Sequence, residues 1–375
     1  MLSFSPSAKL EKALKKLQVD IVLLAQELST MDQAEKAWLH KSVLISTIGA
    51  STRIENAALT DAEIEWVDTT LTEEGKTTAY ESKKAVILNK LSKDRERSIE
   101  EVVGCREVLT LLYIQIEDFF PLTESAIRGM HKILLDYYPE ASAYAGRYKL
   151  NPNLVISVNH ESGERRTVLE PSPPGPLTEV AMKDLIDWYN NSIQNYPWTL
   201  LVATEFVFRF LAIHPFQDGN GRLGRALFLL ALMQGDDPAL KEVVRFISID
   251  RQIERNRPLY YAALRAVSEG RYQANPENYK LEPLAWFFLK MTKDAINEVT
   301  LLRQRYAAMT RLSETAHMVL TCFKSSPEKR LGLSELIKET GLVRRTVQNA
   351  LVSLVKAGFL QRLGLGPSSR YQLIF

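Results

Sequence analysis

The stretch His214-Pro215-Phe216-Gln217-Asp218-Gly219-Asn220-Gly221-Arg222-Leu223-Gly224-Arg225 decides how this chain is interpreted. An apolar run with helical character, 200–213, leads into it. Pro215 then ends that helix, because the proline ring does not continue one comfortably. A second apolar run, 226–233, follows the stretch. It is therefore predicted to be a turn between two helices, and its glycines permit a tight turn in which backbone N–H groups converge.

The side chains of this turn suit a polyphosphate. The turn closes onto a helix N-terminus, where free N–H groups and the helix dipole favour an anion. Arg222 and Arg225 are three residues apart and share a helix face. Asp218 is a carboxylate suited to hold Mg²⁺ together with phosphates, and His214 can take a proton from an incoming hydroxyl. The alternative is a purely structural glycine-rich turn with a packed histidine. The combination of these groups in one short stretch favours a functional site.

The stretch resembles the signature of the Fic family, HPFx(D/E)GNGRxxR, at every fixed position. The resemblance extends over residues 109–261 in the order of helices and hairpin. It implies a mainly α fold, with a Fic-type helical core and a β-hairpin flap. It also implies transfer of AMP from ATP to a Ser, Thr or Tyr hydroxyl of a target protein. Related Doc-type kinases carry Lys where this chain has Gly221, which argues against phosphoryl transfer here.

The same resemblance implies roles for individual residues. His214 is the base, Asp218 is the ligand of Mg²⁺, Arg222 holds the β- and γ-phosphates, and Arg225 holds the γ-phosphate. The anion-binding loop consists of Gly219, Asn220 and Gly221. ATP is thus the expected substrate and Mg²⁺ the expected cofactor.

A second segment, Ser51-Thr52-Arg53-Ile54-Glu55-Asn56, contains a single carboxylate. Alone it is typical of a solvated helix end, but it also matches the inhibitory motif (S/T)xxxE(G/N) that accompanies many Fic domains. Its position before the core is the arrangement called class II. Glu55 is expected to form a bidentate pair with Arg225 in competition with the γ-phosphate, and Ser51 to anchor the segment. This predicts an autoinhibited enzyme whose pocket also serves the removal of AMP.

The composition is that of an ordinary globular protein. The 375 residues are 46% hydrophobic and 25% charged, with a formal net charge of +2, and they suffice for two or three domains. Cys105 and Cys322 both fall in apolar helical patterns, which fits buried thiols in a reducing cytoplasm. The run 200–213 is interrupted by Glu205 and Arg209, and no other stretch approaches the length of a membrane span. The chain is therefore predicted to be cytoplasmic, with no membrane partner.

Helical spacing predicts an N-terminal helix over 8–30 and a second from Gln33 to about Ser46. The polar residues 60–78 are interpreted as a connection. A long helix over Ser98–Phe119 precedes the helix that contains His131. That histidine is expected to lie in the core or to support the site, because no partner stands at metal-binding spacing.

Two β-like segments, Leu154–Val158 and Arg166–Glu170, predict a hairpin whose turn contains Ser162-Gly163. A surface flap without a role is one interpretation. The resemblance implies instead a flap that aligns a target peptide by main-chain pairing. His160 at the tip is expected to be solvated.

A later stretch contains Asn256, Tyr260 and Tyr261 and is similar to a family segment at the adenine end of the pocket. Ordinary helix packing is the alternative for the two tyrosines.

The C-terminal part has a different pattern. Helical segments at about 314–324, 333–340 and 344–357 precede strands at Phe359–Leu363 and Arg370–Leu373, an order that resembles a winged-helix domain. Between Lys324 and Arg370 nine lysines and arginines stand against three glutamates, which allows nucleic-acid binding. Protein docking or dimerisation of this module is equally open.

The predicted division of the chain has four parts. They are an N-terminal helical region with the inhibitory segment (1–95), a Fic catalytic domain (96–282), a connecting helix (283–312) and a winged-helix-like domain (313–375). Two functions stay open. One is a protein adenylyltransferase, and the other is a winged-helix DNA-binding regulator whose pocket senses ATP. A homodimer is also left open.

Overall fold

The computed structural model describes residues 2–73, 76–77, 79–91, 95–158 and 165–374, and the predicted mainly α fold is confirmed. The helices are α1 (Ala8–Thr30), α2 (Gln33–Ile54), α3 (Asp61–Thr70), α4 (Tyr80–Lys90), α5 (Glu96–Gln115), α6 (Glu124–Leu135), α7 (Pro176–Ser192), α8 (Thr199–Ile213), α9 (Asn220–Gln234), α10 (Pro238–Val244), α11 (Ile249–Arg255), α12 (Arg257–Ser268), α13 (Glu282–Thr310), α14 (Glu314–Lys324), α15 (Leu333–Thr340) and α16 (Arg344–Lys356). The strands are β1 (Thr72–Glu73), β2 (Lys76–Thr77), β3 (Val155–Val158), β4 (Arg165–Leu169), β5 (Leu331–Gly332), β6 (Leu360–Leu363) and β7 (Arg370–Leu373).

Helix α8 lies at the centre of the larger hydrophobic core. Every residue of it is buried, and it packs against α7, α9 and α13. A helix that is apolar on all sides is stable only when it is surrounded. Its two charged residues, Glu205 and Arg209, pair with each other at 3.4 Å. This core extends from Leu10 to Val299, so the C-terminal end of α8 is held deep inside it.

Residues 60–78 are not a plain connection, and that prediction was wrong. Helix α3 occupies most of the segment, and the pair β1–β2 follows it. Thr60 caps α3 by accepting from the Glu63 N–H, while the Glu63 carboxylate accepts from the Thr60 N–H at 2.7 Å. Such a reciprocal capping box starts a helix even where apolar residues are few.

Helix α2 continues to Ile54, well beyond its predicted end near Ser46. The uncharged polar residues in this additional part are buried, and hydrogen bonds satisfy their polar groups. The Thr47 hydroxyl donates to the Ser248 hydroxyl at 2.9 Å, and Thr52 donates back to a carbonyl of its own helix. The additional two turns bring the end of α2 into the core.

Strands β3 and β4 form the predicted antiparallel hairpin, with Val155 opposite Leu169 and a bulge beside Val155. The predicted turn, including His160 and Ser162-Gly163, lies outside the described residues, so the solvated position of His160 stays a prediction. In the C-terminal part, α14, α15 and α16 surround a separate hydrophobic cluster with a sheet in the order β5-β7-β6. The winged-helix prediction is thereby confirmed. Over the described ranges, no helix is both long and apolar enough to cross a bilayer.

Candidate active site

His214 lies at the C-terminal end of α8 in a left-handed backbone conformation, with a φ of 50°. Its Nδ1 atom is 3.2 Å from the carbonyl oxygen of Leu211. Because a carbonyl only accepts hydrogen bonds, Nδ1 carries the proton in this arrangement. Nε2 therefore presents a lone pair that can accept a proton from a hydroxyl.

The charge state of His214 is set by its surroundings. Burial lowers the pKa of His214 to about 4, and the positive charge of Lys149 adds to the shift. Lys149 is itself buried, and its Nζ donates to the Ile213 carbonyl at 3.0 Å and to Asn153 Oδ1 at 2.9 Å. His214 is consequently neutral at pH 7, which is the state that a general base requires.

Two side chains hold the glycine-rich turn in shape. Asn220 accepts from the Phe216 N–H at 2.9 Å and donates to the Phe216 carbonyl at 2.7 Å. His131 is fully buried and accepts at Nδ1 from the Gly146 N–H at 2.8 Å, which leaves Nε2 to donate to the Asp218 carbonyl at 2.9 Å. Asn220 and His131 thus both hold the loop through side-chain hydrogen bonds to its backbone.

Asp218 lies at the edge of the turn with its side chain 41% exposed. Its carboxylate accepts from the Gly219 N–H at 2.6 Å and from Arg97 at 3.0 Å, and it lies 3.4 Å from Arg222. Burial opposes ionisation, but the Arg222 charge, the Gly219 N–H and Arg97 together outweigh it and hold the pKa of Asp218 below its usual value. Asp218 is therefore an ionised carboxylate at neutral pH.

Arg222 is a buried arginine with unused N–H donors. The residue is 3% exposed, and its nearest carboxylates, on Glu101 and Asp218, are each 3.4 Å away. Its Nε and Nη1 atoms are buried and have no hydrogen-bond partner among the described residues. Unsatisfied buried donors are costly, and a phosphate oxygen is the kind of group that satisfies them.

Arg225 is equally buried, but each of its three side-chain nitrogens donates a hydrogen bond. Nε donates to the Ser51 hydroxyl at 2.9 Å, Nη2 donates to the Ser51 carbonyl at 2.7 Å, and Nη1 donates to Glu55 Oε1 at 2.9 Å. The predicted partners thus meet, although the expected bidentate geometry of Glu55 was wrong. Ser51 takes two of the guanidinium N–H donors, and the carboxylate takes a third through a single oxygen.

Glu55 also lies against the first turn of α9. A Cβ atom added to Gly221 would overlap the Glu55 carboxylate, so only glycine allows this approach. The first N–H groups of a helix have no partner within the helix and favour a negative charge. Glu55 therefore occupies an anion position formed by Arg225 and the start of α9.

One cavity of about 290 Å³ is lined by His214, Glu55 and the residues 217–222 and 225. The hairpin borders it with Val155 and Leu169, and α12 borders it with Tyr260 and Tyr261. Asn256 lies outside the lining and donates to a carbonyl of its own segment. The assignment of Asn256, Tyr260 and Tyr261 to an adenine end stays a prediction.

Sequence reasoning missed two basic residues of the site, Arg97 and Lys149. Arg97 on α5 contacts Asp218 and stacks on Tyr138, with its guanidinium 3.3 Å from the ring centroid. Lys149 precedes the hairpin and reaches the end of α8. Neither has a signature of its own, although the spacing of Arg97 and Glu101 does indicate a charged helix face.

Comparison with known proteins agrees with this geometry. Residues 121–232 match the Fic/DOC family, and residues 315–364 match the IclR helix-turn-helix domain. A Fic family protein from Desulfovibrio desulfuricans is 22% identical, with a TM-score of 0.55, and the match covers 100% of this chain and 98% of that one. A Fic domain containing signaling protein from Bacteroides thetaiotaomicron is 21% identical, with coverages of 78% and 97% and a TM-score of 0.54.

Fic-1 from C. elegans is 19% identical, with coverages of 82% and 74% and a TM-score of 0.55. At these identities the likeness concerns the fold. The family match assigns residues 121–232 to a Fic/DOC domain, and the C-terminal module carries a helix-turn-helix domain. The Fic/DOC match supports a Fic-type transferase role.

Proposed function

We propose that this protein transfers AMP from ATP to a Ser, Thr or Tyr hydroxyl of a target protein. The observation that carries the proposal is the single cavity lined by His214, Arg222 and the first turn of α9. It combines a neutral base with buried donors for phosphate oxygens. A proton acceptor beside a polyphosphate site is what nucleotidyl transfer to a hydroxyl needs.

In the proposed step the target hydroxyl oxygen attacks the α-phosphorus of ATP. A bond forms between that oxygen and the phosphorus, the bond to the bridging oxygen breaks, and pyrophosphate leaves. The hydroxyl proton passes to Nε2 of His214. Arg222 and the α9 N–H groups balance the charge of the phosphates, and the hairpin positions the target segment. The same pocket also serves the removal of AMP from a modified hydroxyl.

Mg²⁺ fits this site as a cofactor that Asp218 would hold. Mg²⁺ is commonly bound by one or two carboxylates together with substrate phosphates, and Asp218 is ionised and faces the cavity. The ion would neutralise phosphate charge and orient the polyphosphate. Arg97 bonds one oxygen of the same carboxylate and would share it or move away.

Autoinhibition by Glu55 is part of the proposal. Support comes from its position on Arg225 and against Gly221, where a γ-phosphate would also bind. Two anions cannot occupy one place, so an engaged Glu55 would displace the γ-phosphate and misalign the α-phosphorus. Misplacement of a reacting atom by about 1 Å can cost roughly a hundredfold in rate.

Transfer of label from ATP tests the reaction type. A lysate of the source cell is incubated with the full chain, both as wild type and as the Glu55→Gly variant that lacks the proposed inhibitory carboxylate, and with ATP labelled at either the α- or the γ-phosphate. AMP transfer labels protein only from the α-position, and the His214→Ala protein serves as the control. Label from the γ-position alone would establish a kinase, and no label from either would leave a nucleotide sensor at most.

A second function, DNA binding, has its own support. Residues 315–364 match a helix-turn-helix domain, and α16 begins with two exposed arginines, Arg344 and Arg345. Gln348 and Asn349, one turn further along, are also exposed. Side chains of these types bind phosphates and base edges when a helix lies in the major groove. We infer that the module brings the transferase to DNA, and a salt-dependent gel-shift titration tests this.

A further inference from the structure

A second cavity, of about 470 Å³, lies between the larger core and the C-terminal module. Its walls come from α2, α11 and the second half of α13 on one side, and from α14 and the β6–β7 sheet on the other. It is larger than the cavity beside His214 and is separate from it. Clefts of this size between two packed units are common ligand sites.

The lining of this junction cavity combines large apolar side chains with charged ones. Trp38, Phe246, Leu302, Met309 and Phe359 contribute large apolar surfaces. Three basic residues of the lining are already paired. The pairs are Arg251 with Asp61 at 3.1 Å, Arg255 with Glu298 at 2.9 Å and Lys324 with Glu65 at 2.9 Å.

Arg305 differs from these three. Its guanidinium lies over the Phe359 ring at 5.1 Å and donates to the Ile374 carbonyl, and no carboxylate of a described residue pairs with it. Burial lowers the pKa of Arg305, which indicates that water does not fully solvate the charge. A guanidinium has five N–H donors in a planar fork. Arg305 can therefore receive an anionic group that enters the cavity.

The junction cavity is also connected to the candidate active site through α2. The first half of this helix lines the cavity with Trp38, Ser42 and Val43, and its end carries Ser51 and Glu55 on Arg225. A buried hydrogen bond between Thr47 and Ser248 lies between the two sites. A packed helix moves as a unit, so a shift at one end is felt at the other.

We infer that the junction cavity binds a small organic anion with an apolar body, and that its occupancy shifts the end of α2 that holds Glu55. The apolar walls take the body of the ligand, and Arg305 takes its acidic group. The inference about the site stands without the proposed transfer reaction. Only the regulatory meaning of the Glu55 shift rests on it.

The test uses anilinonaphthalene sulfonate, which has an aromatic body and one acidic group, and its neutral analogue N-phenylnaphthylamine. Fluorescence titration of the full chain should give saturable binding of the anionic probe at one site. Arg305→Gln should weaken the anionic probe by about tenfold, the scale of one charge-assisted bond, and the neutral probe by less than about twofold. Ala308→Phe, which fills the lining, should weaken both.

Arg311→Gln is the matched control, because Arg311 is exposed at the end of the same helix and lies outside the lining. It should change neither affinity. Lack of saturable binding to the wild type would overturn the site. Equal effects of Arg305→Gln and Arg311→Gln, or unchanged affinities in Ala308→Phe, would overturn it as well.

The connection to α2 has its own readout. Since coupling between two sites is reciprocal, releasing Glu55 should change the affinity of the anionic probe. We expect the dissociation constant in Glu55→Gly to differ from the wild type by at least about threefold. Equal constants would overturn the connection, and this outcome is independent of any transfer activity.

Discussion

Two helix–turn–helix regions of this protein share a local pattern and differ in environment. In each, a glycine with positive φ lies in the turn, Gly219 before α9 and Gly341 before α16, and two arginines follow within the first two turns of the second helix. The arginines of α9 are almost fully buried, whereas those of α16 are exposed. The arginines of the first region line the candidate active site, and those of the second are presented to solvent.

The residues after each turn explain this difference. Ala226–Met233 is a continuous apolar run, so α9 is buried on nearly every face and its arginines lie inside the protein, beside the cavity. In α16 only Val347, Ala350, Leu351 and Leu354 are buried, which is the spacing of one apolar face. The apolar pattern of the remaining helix therefore determines whether the arginines are buried or exposed.

The largest expected effect is loss of the base. His214→Ala should reduce AMP transfer by roughly a hundredfold to ten-thousandfold, the range of a lost general base. ATP binding should persist, because the phosphates are held by other groups. Initial rates and nucleotide affinity are measured side by side, and full transfer by the variant would remove His214 from the mechanism.

Removal of Asp218 should come next. Asp218→Ala is expected to abolish the Mg²⁺ dependence of transfer together with most of the activity, because the only carboxylate proposed for the ion is lost. Asp118→Ala, a change of an exposed aspartate elsewhere, is the control and should keep the dependence. Rates are measured across a Mg²⁺ titration, and an unchanged titration curve for Asp218→Ala would place the metal elsewhere.

A gain of activity is expected at Glu55. If the engaged state is favoured by about 1.4–3 kcal/mol, Glu55→Gly should raise transfer by roughly ten- to a hundredfold. Adding Arg225→Ala should erase the gain, because both residues act through one guanidinium. Initial rates of the wild type, both single variants and the double variant decide it. A folded Glu55→Gly protein no faster than the wild type would leave 51–56 as an ordinary helix end.

The candidate site divides into a part that sequence predicts and a part that it does not. The residues of 214–225 are neighbours in the chain, so the sequence pattern alone is enough to locate them. Arg97 and Lys149 arrive from distant elements by helix packing, which leaves no local mark. The close approach of Glu55 to Gly221 likewise depends on tertiary packing between distant parts of the chain.

The predicted helix boundaries were limited in the same way, because tertiary contacts leave no local pattern in the sequence. The apolar spacing of α2 breaks after Ser46 because buried polar residues, such as Thr47 and Ser51, are satisfied by partners far along the chain. Helix α3 starts at a capping box whose polar residues were interpreted as a connection. In both cases the helix is stabilised by hydrogen bonds, whereas the predictions depended on hydrophobic spacing.

A small effect is expected from acidification. Since burial, with the charge of Lys149, lowers the pKa of His214 to about 4, the base is neutral throughout the range from pH 5.5 to 8. kcat/KM for transfer should change by less than about twofold over that range on account of this group. An acid limb near pH 6.5, the ordinary histidine value, would show that His214 is solvated and not held as described.

The smallest effect on transfer is expected at the exposed arginines, and it separates the two regions most directly. Replacing Arg344 and Arg345 together by Gln should leave transfer to a peptide acceptor within about twofold, because neither residue lines the cavity. DNA affinity should fall, and the slope of log K against log salt should drop by about two if each arginine neutralises one phosphate. Lys356→Gln, at the far end of α16, controls for the loss of charge alone. Equal losses in the control and the double variant, or a DNA affinity unaffected by either, would mean that α16 is not a DNA-reading helix. Docking of another protein would then be the remaining use for the exposed face of α16.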